Sequence, residues 1–195
     1  MNPCANYKIQ FRIRVKNQYV FYDVQMLWRC QTVTESYDKK GQYSLLKKQM
    51  QAVLEGEKHP IPNLANASAL LMETLEDINW VGFYLMHQNE LLLGPFQGRV
   101  ACVHIGLGKG VCGTAAVNDA VQLVGNVHQF PGHIACDSAS QCEVVLPLHY
   151  RGKVVGVLDV DSPSLNRFNE NDASELEQLA LIIERSCEWS KWSIE

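Results

Sequence analysis

The chain has 195 residues and a net charge of -4, with 47% hydrophobic and 19% charged side chains. That size and balance fit one ordinary globular domain with a buried core, and exclude a disordered tail, a fibrous repeat and two full domains. No run of about 18 apolar residues is present, so no membrane span is expected. The first residues also lack the apolar stretch and cleavage site of a secretory signal, which makes the cytoplasm the expected location. Residues 1–35 carry five basic and two acidic side chains; the remaining 12 basic and 19 acidic leave -7 for the rest. A surface of that sign repels a phosphate backbone, so small-molecule chemistry is expected and nucleic-acid binding is not.

Residues 7–16 alternate strictly, with Tyr7, Ile9, Phe11, Ile13 and Val15 on one side and Lys8, Gln10, Arg12, Arg14 and Lys16 on the other. That is a strand pattern, and it argues against the helical amphipathicity of a transit peptide. Residues 1–35 are read as an extension whose role the sequence leaves open. Over 44–55, Leu46, Met50, Val53 and Leu54 fall on one helical stripe; after the break at His59-Pro60-Ile61-Pro62, Leu64, Ala67, Leu71, Leu75 and Ile78 give a second. Short strands are expected at 80–86, 90–93 and 100–105, forming an antiparallel meander.

Gly106, Gly108, Gly110 and Gly113 punctuate the next stretch, with a short Ala-rich helix over 111–117. Their spacing lacks the Walker lysine-serine pair, and no acidic ribose partner follows, so a phosphate cradle is disfavoured. A strand at 121–124 leads into an irregular segment, 125–141, of a length uncommon in a compact domain unless it serves a site. Strands at 143–148 and 154–160, joined by a turn over 149–153, are expected in the middle of the sheet. The closing helix is expected to begin at a capping box, Asp172-x-x-Glu175, and to bury Leu176, Leu179, Ala180, Ile183 and Cys187. The order contains no β-α-β alternation. It predicts an α+β fold of one domain over 36–190, an antiparallel sheet flanked by helices gathered on one side, and a short tail over 191–195.

The seven cysteines are an odd number in a chain expected to stay in a reducing compartment, so a fully paired disulfide framework is excluded. Cys102, Cys112, Cys136 and Cys142 crowd one half of the chain, with Cys4, Cys30 and Cys187 outside it. A zinc site from Cys102, Cys112, Cys136 and His133 would need ligands without any C-x2-C pair, so no metal is assigned. Buried, inert thiols are the simple alternative. Cys136 departs from that reading because it lies in a loop, Phe130 to Asp137, where His133 would favour a thiolate if the loop brings its imidazole close and Asp137 would oppose it.

Carboxylates form a second group. Glu143 enters one apolar strand, and Asp159 and Asp161 share a face two apart on the next. They are either strand-end residues in solvent or the lining of a polar pocket, where shared charge would raise their pKa values and keep a proton for acid catalysis. Trp80 and Tyr84, four apart on one strand face, read as core or as apolar walls of the same cavity.

Four stretches carry a resemblance: Asn79-Trp80-Val81-Gly82-Phe83-Tyr84, Leu93-Gly94-Pro95-Phe96-Gln97-Gly98, Gly108-Lys109-Gly110-Val111-Cys112-Gly113-Thr114-Ala115 and Gly132-His133-Ile134-Ala135-Cys136-Asp137. Over about 36–190 the chain resembles the free methionine-(R)-sulfoxide reductases, which are GAF-domain enzymes. The resemblance implies reduction of free L-methionine-(R)-sulfoxide, with thioredoxin as reductant and no cofactor. It implies Cys136 as nucleophile, Cys102 as the resolving cysteine that forms the main disulfide with it, and Cys112 as an auxiliary thiol in recycling. It also implies Glu143, Asp159 and Asp161 as pocket carboxylates, with Trp80 and Tyr84 around the methyl-sulfur end of the substrate. Cys142 departs from the pattern, standing where a small polar residue such as Ser is expected; strand alternation should turn it away from Glu143. The alternative function is a GAF module that binds a small ligand or senses oxidation without turnover. Homodimerisation through the extension or the terminal helices stays open.

Overall fold

The computed structural model describes residues 8–15, 18–25, 39–134 and 137–192. They fall into two compact units divided between Asp38 and Lys39. In the first, strands β1 (Lys8–Val15) and β2 (Gln18–Gln25) pair antiparallel, in the register that sets Lys8 opposite Gln25 and Val15 opposite Gln18. The strict alternation of the sequence is what a two-stranded ribbon requires.

The second unit is built on a six-stranded sheet in the order β5-β4-β3-β8-β7-β6, antiparallel at every pairing. The strands are β3 (Trp80–His87), β4 (Glu90–Gln97), β5 (His104–Gly106), β6 (Gln122–Val124), β7 (Cys142–Tyr150) and β8 (Lys153–Ser162). Helices α1 (Lys39–Leu54), α2 (Pro60–Thr74) and α4 (Glu170–Ser186) share one apolar core with one sheet face, through Leu46, Met50, Leu64, Leu71, Leu176 and Ile183 against Val81, Phe83, Val144 and Leu158. Helix α3 (Gly110–Asn118) lies on the opposite face, where Val111 and Ala115 pack with Trp80, Tyr84, Val145 and Val157. The α+β class and antiparallel sheet agree with expectation; gathering every helix on one side does not. The short α3 has no continuous apolar stripe to bury in a helical layer, and it roofs the other face instead.

Local chemistry explains the boundaries. Pro60 opens α2, and the ring of the N-cap His59 accepts from the Ile61 N–H at 3.2 Å. Helix α4 starts earlier than expected: the cap is Asn169, whose side chain accepts from the N–H of Asn171 and Asp172, while Asp172 accepts in return from the Asn169 N–H. Asp172 is thus the third helical residue and not the cap. The expected strand over 100–105 shortens to His104–Gly106, leaving Val100 and Val103 exposed. Val53, assigned to the buried stripe of α1, is also exposed; Tyr43, Leu46, Met50 and Leu54 carry that helix. The turn between β7 and β8 needs only Arg151 and Gly152, both at positive φ, and so matches a two-residue hairpin.

Candidate active site

Three neighbouring strands build the floor. Across β3 and β8, Trp80 stands opposite Asp161 and Gly82 opposite Asp159; across β8 and β7, Asp161 stands opposite Glu143. Period-two alternation then gathers Trp80, Gly82, Tyr84, Asp159, Asp161 and Glu143 on the face away from the main helical layer. Gly82 is required there. A Cβ at that position would lie 2.3 Å from Phe96 Cβ and 2.7 Å from the Trp80 ring, so its absence lets the indole lie across the sheet. Trp80 stacks between Phe96 and Tyr84, at 5.3 and 5.9 Å between ring centres. The polar tips are satisfied by the segment after β4: Trp80 Nε1 donates to the Arg99 carbonyl and Tyr84 OH to the Cys102 carbonyl.

The roof comes from α3 and from the segment 125–141. Lys109, Gly110, Val111 and Cys112 at the start of α3 line the cavity, and Ile134 closes over Gly110. Asp137 and Ser140 line it too, both held by the Asn79 amide, at 3.1 and 2.9 Å. The cavity is tight, with little more room than a few water molecules need, and it opens past Val100 and Ala101.

Three acids dominate the electrostatics of the floor. Glu143 and Asp159 are each only 6% exposed, and Glu143 Oε1 and Asp159 Oδ1 have no hydrogen-bond partner among the described residues. Burial pushes the Asp159 pKa up to about 6. Burial, then the charge of Asp159, raises Glu143 and Asp161 well above the carboxylate range. At neutral pH such a group shares protons. One oxygen from each of the three lies within 4.8 Å of the others, which suits a bound cation as well as a shared proton. His133 also lines the cavity; burial and then His128 lower its pKa, so its imidazole is neutral near pH 7.

The structure brings Trp80, Tyr84, Cys112, Glu143, Asp159 and Asp161 around one cavity. Cys112 Sγ donates to Asp159 Oδ2 at 3.1 Å. Cys102 is disulfide-bonded and packs at the edge of the same apolar cluster, while Cys112, Cys142 and Cys187 are free thiols. Disulfide bonding withdraws Cys102 from the zinc set weighed above. Cys136, with Ala135, lies outside the described residues. Cys142 is buried in the core on the helical face, pointing away from Glu143. Asn79, Lys109 and Asp137 lie within the stretches quoted for the resemblance but were given no pocket role, and Ser140 was not named; the Asp137-x-Ala139 turn, in which Asp137 Oδ1 accepts from the Ala139 N–H at 2.9 Å, is a local signal for the segment that holds Asp137 and Ser140.

An antiparallel six-stranded sheet with a polar cavity between its open face and a short roofing helix defines the class of the protein. The GAF domain model matches residues 63–185. Protein YtsP of Bacillus subtilis is 53% identical over 154 residues, 78% of this chain and 94% of that protein. The free methionine-R-sulfoxide reductase of Escherichia coli is 50% identical over 143 residues, 73% and 87% of the two chains. A solved structure of the Staphylococcus aureus fRMsr in complex with substrate is 55% identical with a TM-score of 0.72, covering 74% of this chain and 94% of that one. The chain belongs to the GAF-domain family and, within it, to the group whose members carry the name free methionine-R-sulfoxide reductase.

Proposed function

We propose that the chain reduces free L-methionine-(R)-sulfoxide to L-methionine, with thioredoxin or a similar dithiol protein as electron source and the cytoplasm as its place of action. The observation that carries the reading is the group of buried acids Glu143, Asp159 and Asp161 beside the apolar wall of Trp80 and Tyr84. Sulfoxide reduction needs both halves: an apolar seat for the methyl-sulfur end and a protonated acid for the oxygen. The name of the E. coli relative and the substrate complex of the S. aureus relative support the same reading.

In this mechanism Cys136, adjacent in sequence to the pocket residue Asp137, attacks the sulfoxide sulfur as a thiolate. A carboxylic acid of the pocket protonates the oxygen as the bond to methionine sulfur breaks. The hydroxyl passes to Cys136 sulfur as the bond between the two sulfurs breaks, so that methionine leaves as the thioether and Cys136 becomes a sulfenic acid. The thiol of Cys102 condenses with it, releasing water and forming a disulfide that an external dithiol reduces. The disulfide-bonded state of Cys102 supports this pairing. The resemblance also casts Cys112 as an auxiliary thiol in recycling, a role that the single-round and repeated-turnover measurements below test separately. The acids also suit the α-ammonium of a free amino acid, which a peptide-embedded methionine lacks.

The test offers free (R) and (S) sulfoxide and a peptide-bound sulfoxide, following NADPH consumption through thioredoxin and thioredoxin reductase. Turnover confined to the free (R) epimer is expected, with none from Cys136→Ser. Silence with all three substrates in fully reduced protein would make the chain a ligand-binding or sensor module.

A further inference from the structure

Cys112 is built to donate a hydrogen bond. It is the third residue of α3, 4% exposed, and a free thiol. Its first turn is pinned at Gly113: a Cβ there would meet the Gly106 carbonyl oxygen at 2.4 Å, and the Gly108 N–H donates to the Gly113 carbonyl. One turn on, Ala115 is fully buried in the same cluster and fixes which way the helix faces. Sγ is therefore held 3.1 Å from Asp159 Oδ2. Burial, then the charges of Asp159 and Glu143, push the thiol pKa well above its ordinary value. A thiol kept protonated in this way is a poor nucleophile and a poor exchange partner, but its S–H is a standing donor.

Asp159 has two oxygens, and only Oδ2 is engaged; Oδ1 is buried without a partner among the described residues. A carboxylic acid whose one oxygen accepts from a fixed donor carries its own proton on the other. We propose that Cys112 is a positioning residue: its S–H holds Asp159 by Oδ2 and so presents the acid proton on Oδ1 to the sulfoxide oxygen. The inference rests on the reductase reading above. In the step it serves, a bond forms between Cys136 sulfur and methionine sulfur while the Oδ1 proton passes to oxygen. The hydroxyl oxygen then bonds to Cys136 sulfur as both its bond to methionine sulfur and the bond between the two sulfurs break, so Cys136 is oxidised to the sulfenic acid, the sulfoxide is reduced to the thioether, and Asp159 regains a proton from solvent. Cys112 gains and loses no electrons throughout, which separates this role from recycling.

Two variants and two readouts decide it. Methionine released in a single round without reductant is measured against pH for wild type, Cys112→Ala and Cys112→Ser, and the Asp159 carboxyl is titrated by carbon-13 NMR, assigned through its loss in Asp159→Asn. Cys112→Ala should slow release about tenfold, the effect of losing one hydrogen bond to the protonated acid. It should also move both the Asp159 midpoint and the alkaline limb of the profile to higher pH, because a donor that favoured the carboxylate is gone. Cys112→Ser keeps a donor and should restore both. A recycling thiol behaves differently: both variants would release methionine at the wild-type rate with an unmoved profile and lose only repeated turnover, and that result overturns the proposal. Absence of methionine release from wild type overturns the reductase reading instead. In that case an Asp159 midpoint unmoved in Cys112→Ala also removes the hydrogen bond, independently of any activity.

Discussion

Two buried aspartates on opposite faces of the same sheet meet opposite fates. Asp172, under α1, has no exposed side-chain surface and is fully partnered: Tyr43 OH donates to it at 2.9 Å, Lys39 Nζ at 2.8 Å and the Asn169 N–H at 3.1 Å, with the Arg167 guanidinium at 3.6 Å. Asp159, in the cavity, has the Cys112 thiol on one oxygen and nothing among the described residues on the other. Burial pushes both upward, but the hydrogen bonds from Lys39, Tyr43 and Asn169 outweigh it and leave the Asp172 pKa lowered, whereas Asp159 rises to about 6. Both are aspartates with almost no exposed side-chain surface, and the supply of donors weighs heavily in the difference. A saturated carboxylate ties helices together; an unsaturated one stores a site for a proton or a ligand.

The two faces should therefore respond to pH with opposite sign. A lowered native pKa gives stability that is present above the ordinary aspartate value of 3.8 and lost as pH falls through the native one. A raised native pKa gives the reverse: the folded state is favoured while the acid is protonated and loses that advantage as pH rises through about 6 for Asp159.

Substitution sharpens this contrast, and the largest effect is expected at the pocket. Asp159→Asn should slow single-round methionine release by about a hundredfold or more, the usual worth of a positioned acid, yet raise the urea midpoint at about pH 8 by removing a charge that three acids share. If that substitution destabilises the protein at alkaline pH, the acids are not under mutual strain. Asp172→Ala should do the opposite. Unfolding free energy should fall by about 3 kcal/mol, since the Tyr43 hydroxyl and the Arg167 guanidinium lose a buried partner and α4 loses its capping box. Methionine release per folded molecule should hardly change; a large loss of rate would mean that the helical face is coupled to the cavity. Gly82→Ala comes next. Its methyl group would drive Trp80 off Phe96, so KM should rise more than kcat falls, at a stability cost of about 1–3 kcal/mol.

What was legible in the sequence had a local cause. Strand alternation put Trp80 with Tyr84, and Asp159 with Asp161, on common faces, and the length of segment 125–141 marked it as serving a site. The pairing of β3 with β8 joins segments more than 70 residues apart, and no local period says that Trp80 faces Asp161. The capping box was misplaced because Asn169-x-x-Asp172 and Asp172-x-x-Glu175 carry the same signature one turn apart. Tertiary contact chose between them: Lys39 and Tyr43 need Asp172 inside the first turn. Residues 100–103 look like a strand because Val100 and Val103 are apolar, but they form an exposed rim beside the cavity. The seat of α3 was illegible for a related reason: Gly113 permits its close approach to the Gly106 carbonyl, while the surface it covers is set by strands far along the chain.

The smallest expected effect lies at the other end of α3 and carries the pH argument onto the surface. His149, on β7, is clamped between Asp119, the left-handed cap of α3, at 2.6 Å from Nε2, and Glu184 of α4, which meets Nδ1 at 3.1 Å and accepts from the His149 N–H at 2.7 Å. Burial pulls its pKa down, but the hydrogen bonds and charges of the two acids together raise it above 6.5. A raised histidine contributes stability that is complete below its ordinary value and lost as pH rises through the native one. His149→Gln should therefore lower the urea midpoint at about pH 5.5 and leave it nearly unchanged at about pH 9. With the ring 38% exposed, the loss should stay below about 1 kcal/mol and shrink in salt. An equal loss at both pH values would mean that the ring acts through packing. The clamp would then belong with the apolar face of the sheet and not with the charge pattern that sets Asp172 against Asp159.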